Sequence, residues 1–188
     1  MNSKNQHINQ LIERCKKSDQ TAQMQIYKAY YKAMYNSAFR ILKDTFEAED
    51  IMQEAFLKAF TKLDSYKGEV TFGAWLKKIV INKSLTQLKK KARYKEVKLE
   101  VIPNYETEEN AIDELKLKAS DVMEKMNSLK DSYRLILNLH LIEGFDYEEI
   151  SQILNYTNEN VRTTISRAKK KLKQVLLQDI THTQTYGR

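Results

Sequence analysis

The sequence predicts an all-α protein of two small helical domains joined by a flexible acidic linker, the second domain a helix-turn-helix (winged-helix-like) unit. Three observations carry this. Four Gly and one Pro in 188 residues leave few turn formers for a strand-rich fold. Apolar residues recur at steps of three and four through long stretches rich in Ala, Leu, Lys, Glu, Gln and Met. Charge also divides the chain in three: residues 1–95 carry net +10, residues 96–121 net −5 and residues 122–188 net +2. The acidic middle holds the single proline, Pro103, and little periodicity before Ala111. It reads as a tether, with expected boundaries 1–95 for the first domain, 96–115 for the linker, 116–180 for the second domain and 181–188 for a tail.

The first domain opens with Leu11, Ile12 and Cys15. A helix then carries Ala22, Ile26, Tyr30, Ala33 or Met34, Ser37 or Ala38, and Ile41 on one face, with Asp19 placed to start it. Tyr27, Tyr30, Tyr31 and Tyr35 read as core and rim packing with wet hydroxyls. The next segment repeats the pattern with Ala48, Ile51, Met52, Ala55, Phe56, Ala59, Phe60 and Leu63, a continuous apolar face at about 100° per residue.

Opposite that face stand Asp50, Gln53, Glu54 and Leu57. Between Glu47 and Leu57 there are four acidic residues and no basic one, in a chain of net charge +7. Carboxylates near a helix start suit its dipole, which accounts for Glu47, Glu49 and Asp50. It does not account for Glu54 or for a leucine ringed by Asp, Gln and Glu. That combination has the make-up of a docking surface for a basic protein. Gly68 and Gly73 then bracket an expected loop, and a helix follows with Phe72, Trp75, Leu76, Ile79 and Val80 inward. Lys77, Lys78, Asn82, Lys83 and Thr86 lie on its polar flank, and Lys89, Lys90, Lys91 and Arg93 close it. Tyr66 beside Lys67 offers a base-stacking and phosphate-contacting pair in the loop.

In the second domain a helix is expected to stop near Gly144. Asp146 and Glu149 have capping-box spacing, Asn155 suits a left-handed turn, and Thr157 caps a helix from about Asn158 to Leu177. Val161, Ile165, Ala168, Leu172 and Val175 or Leu176 face inward. Arg162, Thr163, Ser166, Arg167 and Lys170 face outward, donors suited to base edges and phosphates.

Several function classes are excluded. Cys15 is the single cysteine, so no internal disulfide is expected and a reducing compartment fits. The polar first ten residues lack an apolar signal core, and the most apolar run, residues 135–142, is too short to span a membrane. His7, His140 and His182 have no partners at metal-ligand spacing. No Gly-rich phosphate loop, nucleophile elbow or triad is present, so no cofactor, metal or catalytic residue is expected.

Four stretches in order then resemble the extracytoplasmic-function (ECF) sigma factors, promoter-recognition subunits of bacterial RNA polymerase. They are SDQTAQMQIYKAYYKAMYNSAFRILKD, EAEDIMQEAFLKAF, FGAWLKKIVINKSL and SLKDSYRLILNLHLIEGFDYEEISQILNYTNENVRTTISRAKKKL. The resemblance implies a cytoplasmic, non-enzymatic protein that binds core polymerase (the β′ clamp helices, and β), promoter DNA and an anti-sigma factor. It implies that Asp50, Gln53, Glu54 and Leu57 dock on polymerase. Tyr66, Lys67, Lys78, Asn82 and Thr86 would handle the −10 element, and Arg162, Thr163, Ser166, Arg167 and Lys170 the −35 element. The chain departs from the family at Lys130, where Pro is usual, and at Asn155, Tyr156 and Asn160 around the second turn. A regulator that binds DNA without polymerase would leave the Asp50–Leu57 stripe unused. A purely protein-binding adaptor would leave the Arg162–Lys170 face unexplained.

Overall fold

The computed structural model describes the backbone of residues 3–94 and 119–185, and the side chains of residues 6–91 and 119–178. The chain forms two compact units, Met1–Val97 and Lys98–Arg188. The tether expected over 96–115 lies outside the described residues. Among those described there is no strand, and no helix long and apolar enough to cross a membrane.

The first unit contains α1 (Ser3–Lys16), α2 (Gln20–Leu42), α3 (Thr45–Thr61) and α4 (Phe72–Tyr94), with a short 3-10 turn at Leu63–Ser65. Asp19 starts α2 as expected, its Oδ1 accepting from the Ala22 amide at 3.1 Å. That hydrogen bond, with Arg14 beside it at 2.8 Å, holds the Asp19 carboxyl below its ordinary range. Asp44 is the N-cap of α3, its Oδ1 accepting from the Glu47 amide at 3.0 Å. Lys43, in the left-handed region at φ 57°, makes the sharp turn between them. The helix α2 packs against the other three, and its Ala22, Ile26, Met34, Ser37, Ala38 and Ile41 are buried. Ala33, the alternative to Met34, is exposed. In α3 the expected apolar face is buried, with Phe60 at its edge, and Leu63 reaches the same core from the 3-10 turn. Burial pushes the Cys15 thiol up, consistent with a packing residue rather than a reactive one.

The loop before α4 ends earlier than the sequence suggests. Thr71 Oγ1 accepts from the Ala74 amide at 3.3 Å, and Gly73 lies inside the first turn. The reason for the glycine is packing, since a Cβ there would stand 2.9 Å from the Tyr30 ring. Gly73 thus lets α4 approach α2 closely, and Tyr30 meets Phe72 edge-on at 5.6 Å.

The second unit contains α5 (Ala119–Ser128), α6 (Asp131–Leu137), a π-helical turn (Asn138–Ile142), α7 (Tyr147–Leu154) and α8 (Asn158–Thr185). Gly144, at φ 81°, follows the π-helical turn and separates it from α7. The Asp146–Glu149 capping box is fully formed. Asn155 ends α7 at φ 57° and ψ 47°. Tyr156 is accommodated because it points to solvent: its amide donates to the Ser151 carbonyl at 3.1 Å, and the Ser151 hydroxyl donates back to its carbonyl at 2.7 Å. Thr157 Oγ1 accepts from the Asn160 amide at 3.2 Å, opening α8. Val161, Ile165, Ala168 and Leu172 are buried, with Val175 and Leu176 half-buried. The helix runs past Leu177 because neither Gly nor Pro interrupts it before Gly187.

Candidate functional site

Three surfaces carry the residues singled out by sequence. The first is the outer side of α3. Asp50, Gln53 and Leu57 are exposed, Leu57 to 67%, while the opposite side of the helix is core. Phe46, which the sequence reading passed over, is 82% exposed. Counted from Phe46, the residues Asp50, Gln53 and Leu57 fall at steps of four, three and four, so all four share one line. Two apolar side chains therefore stand about 16 Å apart along the helix, with polar groups between them. Phe46 precedes the apolar series that starts at Ala48, and its helical phase places it with Asp50, Gln53 and Leu57 rather than with that series.

Glu54 lies off that line, toward α4. Its Oε2 stands 2.5 Å from Lys83 Nζ. Two turns earlier, Glu47 Oε2 lies 2.5 Å from Lys91 Nζ, an ion pair rather than a directed hydrogen bond, and Glu47 Oε1 accepts from Gln87 Nε2 at 3.4 Å. Antiparallel α3 and α4 are thus joined by two rungs. Half of the acidic patch that the sequence assigned to a partner or to the helix dipole also ties the chain to its own basic helix.

The second surface belongs to α4 and the preceding loop. Lys78, Asn82 and Thr86 are exposed and form a single stripe at i, i+4, i+8. The Thr86 hydroxyl donates to the Asn82 carbonyl at 2.8 Å. Asn82 and Thr86 also line a cleft of about 310 Å³ between α3 and α4. Lys67 is exposed in the loop. Tyr66 is half-buried: its ring meets Phe72 edge-on at 5.5 Å and Trp75 at 5.4 Å, and its hydroxyl donates to the Val70 carbonyl at 2.7 Å. Burial pushes its phenol up, and the two ring contacts with the hydroxyl hydrogen bond hold the aromatic surface in place.

The third surface is α8. Arg162 is exposed and its guanidinium lies 5.5 Å over the Tyr147 ring, which also stacks on His140 at 5.1 Å. Such stacking holds the planar fork in one orientation. Ser166 is exposed and Arg167 half-buried. Thr163 is half-buried, its hydroxyl donating to the Glu159 carbonyl at 2.8 Å. Lys170 differs from the expectation. Its Nζ is enclosed without a hydrogen-bond partner, so helical phase alone misjudged its access to solvent.

The family profile described as Sigma-70 region 2 matches residues 26–94, and the one described as Sigma-70, region 4 matches residues 119–172. Over 181 residues the chain is 30% identical to the ECF RNA polymerase sigma factor SigW of Bacillus subtilis, an alignment spanning 90% of this chain and 96% of the relative. The chain belongs to the ECF sigma factor family. The RNA polymerase sigma-H factor of Pseudomonas aeruginosa is 28% identical, over 89% of this chain and 92% of its own. The ECF RNA polymerase sigma-E factor of Escherichia coli K12 is 29% identical, over 85% and 89%. Two solved structures share the fold. RpoE bound to the anti-sigma factor NepR, from Bartonella quintana, superposes with a TM-score of 0.54 at 24% identity, over 81% of this chain and 95% of that one. CnrH bound to the cytosolic domain of CnrY gives 0.54 at 22% identity, over 90% and 96%. As a sigma factor the protein directs RNA polymerase to promoters and initiates transcription. The α3 and α4 surfaces fall within the region 2 match, and Arg162, Thr163, Ser166, Arg167 and Lys170 within the region 4 match.

Proposed function

We propose that this sigma factor divides its work among those three surfaces. The outer line of α3, with Asp50, Gln53 and Leu57, docks on a basic helical surface of core polymerase, the β′ clamp helices, with Glu54 at its margin. Charge complementarity orients the encounter and the exposed leucine supplies buried area. The observation that carries this is Leu57, 67% exposed among acidic and amide groups on a helix whose other side is core. Tyr66 and Lys67, with Lys78, Asn82 and Thr86, capture the melted −10 strand. A fixed aromatic surface offsets part of the cost of unstacking a base, typically a few kcal/mol. Arg162, Thr163, Ser166 and Arg167 read the −35 duplex in the major groove, and the enclosed Lys170 contributes only if that groove draws it out. The protein is itself no enzyme, since polymerase carries out the phosphodiester chemistry. It acts in the cytoplasm, where polymerase and DNA are. The Bartonella quintana complex supports an anti-sigma factor as a further partner.

The test is promoter-dependent transcription with core polymerase on two templates, a fully paired promoter and one mismatched over its −10 element. Tyr66→Ala should impair the paired template more, since the mismatch removes the cost that base capture offsets. Equal losses on both templates would assign Tyr66 to packing alone.

A further inference from the structure

A chain of ring contacts ties the start of α8 to the elements before it. His140, in the π-helical turn, stacks on the Tyr147 ring at 5.1 Å and 26°, and Tyr147, the first residue of α7, lies 5.5 Å beneath the Arg162 guanidinium. His140 is held at both ring nitrogens. Nδ1 lies 3.1 Å from the Phe145 carbonyl oxygen, which can only accept, so Nδ1 donates. Nε2 accepts from the Lys169 ammonium at 3.4 Å. Arg162 and Lys169 are seven residues apart and so share one side of α8, which meets the His140–Tyr147 pair at two points.

An exposed arginine carries much rotamer freedom, which is lost when it engages a base. An aromatic face beneath the guanidinium removes part of that loss in advance. It also leaves the N–H fork available, because a ring face competes for those donors far more weakly than a carboxylate would. The platform itself is anchored. Tyr147 is half-buried and follows the Asp146 cap, whose side-chain and backbone hydrogen bonds with Glu149 fix the first turn of α7.

We propose that Tyr147 is a positioning residue for −35 reading: its ring, braced by His140, holds the Arg162 fork ready for a guanine edge. A side chain outside α8 then sets how sharply one base pair is read. This rests on the proposed role of Arg162 at the −35 element.

The test uses the full chain with core polymerase, measuring affinity for a promoter and a panel of single-base variants of its −35 element. Arg162→Ala should lower preference at one base pair by about fivefold or more. Tyr147→Leu, which keeps apolar bulk but has no ring face, should lower preference at that same pair by about two- to fivefold. Tyr147→Phe, which keeps the ring, should retain the wild-type profile. Adding Tyr147→Leu to Arg162→Ala should cost no further preference. His140→Gln keeps a donor for the Phe145 carbonyl but lacks the stacked ring, and should lower preference at the same pair by less than Tyr147→Leu does. In the full chain without polymerase, the Arg162 side-chain protons should show a ring-current shift that Tyr147→Leu abolishes and Tyr147→Phe keeps. The proposal is overturned if Tyr147→Leu weakens all sequences alike, if Tyr147→Phe is as damaging as Tyr147→Leu, or if the double variant loses preference at that pair beyond Arg162→Ala. A wild-type profile in His140→Gln would overturn the brace. A flat response to Arg162→Ala would remove the −35 role of Arg162 itself, whereas a selective loss there without one in Tyr147→Leu would remove the positioning alone.

Discussion

Replacing Leu57 by alanine tests the docking surface with little disturbance of the fold. The side chain is 67% exposed, so about two thirds of its possible burial remains to be realised on binding. Full burial of a leucine is worth roughly 1.5–3 kcal/mol, which leaves about 1–2 kcal/mol for the interface. Alanine keeps one of the four side-chain carbons, so the loss should be about 0.8–1.5 kcal/mol, or roughly four- to thirteenfold in Kd. Stability should not fall, because an exposed substitution usually moves it by under about 0.5 kcal/mol and Ala is the better helix former. The assay is titration of core polymerase into fluorescently labelled sigma factor, with thermal unfolding as the control. An unchanged Kd with an unchanged Tm would refute the docking role. A lowered Tm would show instead that Leu57 packs within the molecule. Asp50→Lys is a cleaner companion than charge reversal at Glu54, since Glu54→Lys also breaks the pair with Lys83.

Three further outcomes are expected. Gly73→Ala should destabilise the first unit, because its Cβ would meet the half-buried Tyr30 ring at 2.9 Å; overpacking costs about 1–3 kcal/mol against a helix gain of up to about 1 kcal/mol, and urea unfolding would read the net loss. Lys130→Pro should stabilise the second unit by about 0.4–1 kcal/mol, since φ is already −48° and ψ 141° at this exposed position before α6, and an unchanged or lower denaturation midpoint would show that Leu129 cannot accept a following proline. Asp19→Asn keeps an oxygen for the Ala22 amide but removes the titrating charge. The depressed Asp19 carboxyl stabilises the fold above the ordinary carboxylate value of 3.8, and that contribution is lost as pH falls through its lower folded value. Tm against pH for the variant and the wild type should therefore differ at neutral pH and converge in acid.

Much of this molecule follows from local rules that act on neighbouring residues. The faces of α2, α3 and α8, the Asp19 cap, the Asp146–Glu149 box and the left-handed Asn155 were all legible, because helical period and capping depend on spacing within a few residues. The outward position of Leu57 was legible for the same reason. What depends on a second element was not. Gly73 looked like a loop residue because its purpose is the approach of Tyr30 from α2, 43 positions away in the sequence. Glu54 looked like a free member of an acidic stripe because Lys83 lies 29 residues further on, and only the antiparallel packing of α3 and α4 brings the two together. Lys170 looked exposed because phase around one helix carries no information about what encloses its tip. Periodicity determines which side of a helix meets the core, whereas partners of charges at the margin of that side are chosen by whichever helix packs beside it.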